Sequence, residues 1–240
     1  MAAGADESFD FVELSRVSKS YGRVAALRAL DLRVDAGRAC VLMGPNGSGK
    51  STLLGILATV LRPTSGEIRH GSLGAAGGER LRARIGVCAH SSLCYGDLSG
   101  RENLELFGRL YRVGEPRARA SELLDRVGLA TFADRAARTY SRGMAQRLSI
   151  ARALVHRPRL LLLDEPFSGL DREGAAAVAR LLHDQAHSAI MVLATHDFDE
   201  AAGLGRHAVV LRGGRLRAEL RADVPLGGAA LSRLYEGSAA

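Results

Sequence analysis

The sequence predicts an α/β fold into which a block of helices is inserted. Three observations carry this. Short apolar runs of strand type are followed by segments of helical periodicity, as in RACVLMG (38–44) and then STLLGILATVL (51–61). From about 90 to 157 that alternation stops, and amphipathic helical segments follow one another with no strand between them. From RLLLLDE (159–165) onward, strand and helix alternate again.

In chain order, FDFVELSRV (9–17) and LRALDLRVDA (27–36) alternate well enough for half-buried strands, with a turn at YGR between them. RACVLMG ends in glycine and reads as a short buried strand. STLLGILATVL is a helix that stops before Arg62-Pro63. GEIRH (66–70) and ARIGVCA (83–89) are further strands, separated by the flexible loop GSLGAAGG (71–78). The inserted block holds RENLELFGRLYR (101–112), RARASELLDRVGL (117–129) and SRGMAQRLSIARALV (141–155) as helices. After RLLLLDE come a helix, AAAVARLLHDQA (175–186), and the strands AIMVLATH (189–196), HAVVLRG (207–213) and RLRAEL (215–220). The last stretch of the chain carries little pattern. No internal repeat is visible, so a single module is expected.

Composition sets limits on function. The chain has 240 residues, 47% hydrophobic and 25% charged, an ordinary globular balance with enough apolar material for a sizeable core. No apolar run approaches the roughly 18 residues of a membrane span. The start, MAAGADESFD, lacks a basic segment followed by an apolar one, so no secretory signal is expected and the chain is expected to stay in the cytoplasm. The three cysteines, Cys40, Cys88 and Cys94, are odd in number and lack CxxC spacing, which argues against disulfides. Cys40 and Cys88 fall in strand-like segments and are expected to pack as small apolar residues. The net charge of +7 comes from arginines scattered among alanines rather than clustered, with no basic and aromatic RNA-binding pattern, so no nucleic acid is expected.

Lysine is rare in this chain: only Lys19 and Lys50 occur. Lys50 lies in Gly44-Pro45-Asn46-Gly47-Ser48-Gly49-Lys50-Ser51-Thr52, which fits GxxxxGK[ST] between a predicted strand and a predicted helix. Phosphate oxygens need many donors close together. Glycines let the backbone turn so that successive N–H groups face one anion, and the helix start adds its positive end. A lysine serves here as a compact, mobile charge reaching the β and γ phosphates, where a planar guanidinium is bulkier. Ser51 offers a hydroxyl to Mg²⁺. Leu160 to Leu163 then deliver Asp164 and Glu165 at a strand end. Beside MgATP, Asp164 would hold the metal and Glu165 would polarise an attacking water. In YSRGMAQRLSIARAL (140–154), Ser141 caps a helix and Gly143 lies in its first turn, a second place where donors project from a helix start.

In this order the motifs resemble those of the ATP-binding subunit of ABC transporters, over about residues 9 to 220. GPNGSGKS matches that family's Walker A, RLLLLDEP its Walker B, and SGLD (168–171) its D-loop. YSRGM stands where the signature LSGGQ is expected, followed by Gln146 and Arg147, and His196 in LATHD stands at the switch histidine. The resemblance implies a P-loop NTPase core with an antiparallel β subdomain and an inserted helical subdomain. It implies a single nucleotide-binding domain over 1–240, with the core at about 9–89 and 158–220 and the helical part at about 90–157. It further implies an ATPase using ATP and Mg²⁺, with Tyr21 stacked on adenine. Two copies, or this chain and a paralogous ATPase, would form a head-to-tail dimer in which Ser141 and Gly143 of one complete the site of the other. The assembly would drive transmembrane permease subunits from the inner face of the cell membrane, with residues 88 to 104 as the coupling surface.

Two departures stand out. Arg142 and Met144 replace a glycine and a glutamine of the signature, while Ser141 and Gly143 are kept. His90, in IGVCAHSSL, stands where the family usually has a glutamine near Mg²⁺ and the attacking water, so it joins Glu165 and His196 as a catalytic candidate. His90, the following DLSGRENLELFGRLY and YSRGMAQRLSIARAL are together similar to the ATPase subunit of the bacterial haem exporter of cytochrome c maturation. A general exporter of drugs, lipids or polysaccharides and a soluble ABC ATPase of iron–sulfur assembly remain open as alternatives. HDQAH (183–187) imitates a zinc pair but lacks a third ligand in the sequence. His70, His156 and His207 are expected at the surface or behind the site.

Overall fold

The computed structural model describes residues 9–71, 78–89 and 92–238. The loop expected at 71–78 therefore falls largely outside the described residues, and His90 lies outside them altogether. The fold is α/β with an antiparallel β subdomain and a mixed sheet. Strands β1 (Phe11–Tyr21), β2 (Val24–Asp35) and β4 (Ser65–His70) form an antiparallel sheet in the order β2-β1-β4. Strands β3 (Cys40–Met43), β5 (Ile85–Cys88), β6 (Leu160–Asp164), β7 (Ile190–Ala194), β8 (His207–Arg212) and β9 (Arg215–Arg221) form the second sheet. Its order is β5-β6-β7-β3-β8-β9, parallel except for the antiparallel β8–β9 edge.

The parallel strands are buried on both faces, which is why they read as unbroken apolar runs. Successive side chains go to opposite cores. Leu160 and Leu162 face the antiparallel sheet together with Cys40 and Leu42, whereas Leu161 and Leu163 face the helices together with Val41 and Met43. Each fully buried leucine contributes roughly 1.5–3 kcal/mol from area removed from water. Cys40 and Cys88 pack as small apolar residues, and burial pushes both thiols up.

The helices are α1 (Lys50–Leu57), α2 (Gly78–Arg82), α3 (Gly100–Leu110), α4 (Pro116–Arg126), α5 (Arg142–Leu154), α6 (Arg172–Ala186), α7 (Phe198–Ala201) and α8 (Gly228–Gly237). Between β5 and β6 the described chain is helical, with α3 to α5 and two short 3₁₀ turns. Ser99 and Glu102 close a capping box at the start of α3, from Ser99 N to Glu102 Oε2 at 2.7 Å and from Glu102 N to Ser99 Oγ at 3.2 Å.

Several boundaries differ from the sequence reading for physical reasons. β1 continues past Val17 to Tyr21, because a bulge with Arg16 at φ 48° breaks the period-two pattern midway. α1 stops at Leu57 rather than Leu61. Leu61 folds back over Gly55 and its N–H bonds the Gly55 carbonyl at 2.9 Å, a closure that a side chain at position 55 would block at 2.8 Å from Leu61 Cδ1. α6 starts at Arg172, not 175, since Asp171 Oδ1 accepts from Gly174 N at 2.7 Å and caps it. α2, α7 and α8 were not anticipated. α8 buries Leu231 completely and packs Tyr235 on Phe198 with ring centroids 5.2 Å apart.

The histidine expectations need correction. His70 and His207 are buried, not superficial, bonded to the Leu57 carbonyl at 3.1 Å and to Glu219 at 2.9 Å. His156 stacks on Tyr111 with centroids 3.9 Å apart and engages the Ile85 carbonyl at 3.1 Å. Desolvation lowers all three, His156 to about 4. His183 and His187 do lie against each other, centroids 4.9 Å apart, but His187 Nδ1 is engaged by the His183 carbonyl at 2.9 Å.

Candidate active site

The carboxyl ends of β3, β6 and β7 lie side by side, and the segments leaving them carry the glycine-rich loop 44–49, the acidic pair Asp164 and Glu165, and His196. This is the edge of a parallel sheet where a ligand crevice forms. An open cavity of about 670 Å³ sits there, lined by Asn46 to Thr52 and by Tyr21, Asp164, Glu165, Ser168 and His196. Residues far apart in sequence thus converge as their chemistry suggested. Ala26 on β2 completes the wall; nothing in its residue type marked it.

The P-loop turns where only glycine fits. Gly49 has φ 109°, and a Cβ there would stand 2.6 Å from the Ala26 carbonyl oxygen. α1 follows at once, so its first N–H groups face the cavity. Lys50 is 9% exposed, and its Nζ donates to the Gly44 carbonyl at 2.6 Å and the Pro45 carbonyl at 3.3 Å. Ser48 is 2% exposed, and its Oγ has no partner among the described residues.

At the opposite wall, Ser51 Oγ donates to Asp164 Oδ2 at 2.8 Å. Glu165 sits in the left-handed region at φ 50°, an uncommon place for a non-glycine residue. Its N–H donates to the Ala194 carbonyl on β7 at 2.9 Å, and its Oε2 meets His196 Nδ1 at 2.8 Å. The hydrogen bond that the ring donates to Glu165, and the carboxylate's negative charge, push the His196 imidazole up from its ordinary range. Gln146, on α5, donates through Nε2 to the carbonyls of Glu165 and Pro166, both at 3.2 Å. A sequence pattern could have found this only as a polar residue one turn into the signature helix.

Ser141 caps α5, with Oγ accepting from Met144 N at 3.2 Å, as its position predicted. Ser141 and Gly143 do not line the P-loop cavity of their own chain. Gly143 instead approaches the D-loop so closely that a Cβ would lie 2.8 Å from the Gly169 carbonyl oxygen. Tyr21 is 49% exposed at the cavity rim, with Lys19 Nζ 5.2 Å from its ring centroid.

The sequence matches the family model described as ABC transporter over residues 27–168. It is 41% identical over 218 residues to the Daunorubicin resistance ATP-binding protein DrrA3 of Streptomyces coeruleorubidus, covering 88% of this chain and 68% of that protein. It is 40% identical to the Daunorubicin/doxorubicin resistance ATP-binding protein DrrA of Streptomyces peucetius, over 87% of this chain and 64% of that one. A Sulfate/thiosulfate import ATP-binding protein CysA of Synechococcus elongatus is 37% identical, over 85% and 61%. The chain thus spans about two thirds of the length of these relatives. Among solved structures, the dimeric post-hydrolysis state of the ATP-binding cassette MJ0796 bound to ADP and Pi superposes with a TM-score of 0.81 at 30% identity, covering 88% of this chain and 98% of that one. With the glycine-rich loop, the acidic strand end and His196 in one cavity, these likenesses establish that the chain belongs to the ABC transporter family, as its ATP-binding ATPase module.

Proposed function

We propose that the chain is the motor of an exporter, hydrolysing ATP at the inner face of the cell membrane to drive transmembrane permease subunits. The observation that carries the hydrolytic part is the convergence, in one cavity, of Ser51 on Asp164 and of His196 on Glu165 beside Lys50. Lys50 and the backbone of Gly44, Pro45, Asn46, Gly47, Ser48 and Gly49 cradle the phosphates, Thr52 continues the wall, and Tyr21 stacks on adenine. The Ser51 hydroxyl and Asp164 carboxylate are hard oxygen donors 2.8 Å apart, a donor set that fits Mg²⁺. When bound, the ion neutralises charge on the phosphate oxygens. Glu165 takes the proton of the attacking water, and His196 holds that carboxylate in place. His90 is proposed as a further catalytic group at the attacking water.

Ser141 and Gly143 sit outside their own chain's cavity, and that placement supports their completing the site of a second copy or a paralogous ATPase. One nucleotide-binding domain, with core segments 9–89 and 158–220 around a helical part at 90–157, is the matching domain reading. The coupling surface is proposed at 88 to 104. There Leu93 and Tyr95 are exposed, and buried Asn103 fixes the loop through Tyr95 N at 2.7 Å and the Tyr95 carbonyl at 2.9 Å. Apolar side chains presented on a braced loop suit a membrane protein's cytoplasmic segment.

Export is favoured by the two drug-resistance relatives at 40 and 41% identity, against 37% for a sulfate importer subunit. The haem exporter of cytochrome c maturation is the second reading, carried by His90 and YSRGM. The test is to purify the tagged chain from detergent-solubilised membranes and reconstitute the complex in vesicles. A membrane permease and ATP-driven movement of a drug-like or haem substrate away from the ATPase side support export. A soluble iron–sulfur scaffold as the stoichiometric partner contradicts it.

A further inference from the structure

We propose that Arg142 is a positioning residue for hydrolysis, a strut between helix α5 and the segment that carries Glu165. The residue is one of the two signature departures, and the roles assigned above do not use it. Its Nη2 donates to Ser168 Oγ at 3.0 Å. Its stem lies over Gly169, where a Cβ would meet Arg142 Nε, Cδ and Cγ at 3.1 to 3.3 Å. Gln146 follows one turn later on the same helix face and holds the carbonyls of Glu165 and Pro166. One face of α5 therefore grips the segment 165–169 at both ends. A small, partly open cavity of about 110 Å³ lies there, lined by Ser92, Arg142, Ala145, Gln146, Glu165 and Ser168.

The grip answers a conformational problem. Glu165 has φ 50° and Gly169 has φ 76°, so this segment begins and ends in the left-handed region. A non-glycine residue persists there only when its surroundings over-determine it. The Ala194 carbonyl fixes Glu165 from the sheet side. On the helical side Gln146 holds the Glu165 carbonyl and Arg142 holds Ser168 at the segment's other end, so a movement of α5 is transmitted to the segment that carries the carboxylate. With glycine at position 142, only Gln146 would remain. Fixing Glu165 before reaction lowers the cost of reaching the transition state and leaves nucleotide binding alone, so the strut acts on kcat and not on KM.

This inference rests on Glu165 being the base. The test is steady-state ATPase kinetics of the full chain carrying Arg142→Gly, Arg142→Lys, Ser168→Ala or Arg142→Gly with Ser168→Ala, beside Glu165→Gln. We expect Arg142→Gly to lower kcat about three- to tenfold with KM within about twofold. Lysine, which can still donate to Ser168, should restore most of the loss. The double variant should be no slower than Arg142→Gly alone, since both remove one contact. An unchanged kcat, additive losses, or a raised KM at constant kcat overturns the strut; the last places the guanidinium on nucleotide instead. An inactive Glu165→Gln beside an unaffected Arg142→Gly removes the strut alone. A fully active Glu165→Gln removes the base assignment, and the strut with it.

Discussion

Lys50 is held by two backbone carbonyls of its own loop, which direct its charge along the P-loop. Lys50→Ala is expected to abolish nucleotide binding and turnover, measured by fluorescent-nucleotide titration and phosphate release. Near-normal activity would end the P-loop account. The pair of His196 with Glu165 gives a pH prediction. Its folded pKa is raised, so the pair's stabilisation is complete below about pH 6.5 and is lost as pH rises through the higher folded value. On the proposed reading, a charged His196 lowers the basicity of the carboxylate it positions, so activity should rise as the imidazole deprotonates while its Nδ1–H still holds Glu165. The acidic limb of kcat/KM is therefore expected above pH 6.5 and should move in His196→Gln. A limb that moves only in His90→Gln would transfer the titration to His90. Lys50, Ser51, Asp164 and Glu165 were legible in the sequence because local motifs demand them. The His196–Glu165 contact was not, since it joins the ends of two strands 31 residues apart.

Elements whose periodicity is unbroken were the readable ones. Leu160 to Leu163 read as a strand, and Ser141 marked the start of the capped helix α5. β1 was read short because a bulge reverses its alternation, and α6 was read late because its first turn is polar and only Asp171 marks it. α8 escaped because its small residues dilute the pattern, yet it is tied to the core. Arg212 Nε donates to Ser238 Oγ at 3.0 Å, its guanidinium lies over Tyr235, and Leu231 is fully buried. Leu231→Ala is expected to cost roughly 2–5 kcal/mol in urea unfolding. A loss below about 0.5 kcal/mol, the range of surface substitutions, would show that α8 is dispensable to the fold.

At the scale of the molecule, three partly or fully buried histidines are held neutral. Their folded pKa values are lowered, so the unfolded chain binds more protons as the solution is acidified. Stability should be full above about pH 6.5 and fall toward the folded value, about 4 for His156, which melting curves across that interval would show. A flat melting temperature would contradict the buried-neutral assignment. Ser141 and Gly143 lie away from the cavity that holds Lys50 and Glu165, and on the proposed reading they complete the site of a second chain. Two chains would then make one working site. Gel filtration of Glu165→Gln with ATP tests this most directly, because a site that binds without hydrolysing should trap the closed pair. The account predicts elution as a dimer with ATP, as a monomer without it, and as a monomer again when Gly143→Asp is added to block the partner's phosphate site. A Glu165→Gln protein that binds ATP yet stays monomeric at high concentration, or a dimer indifferent to Gly143→Asp, would contradict it.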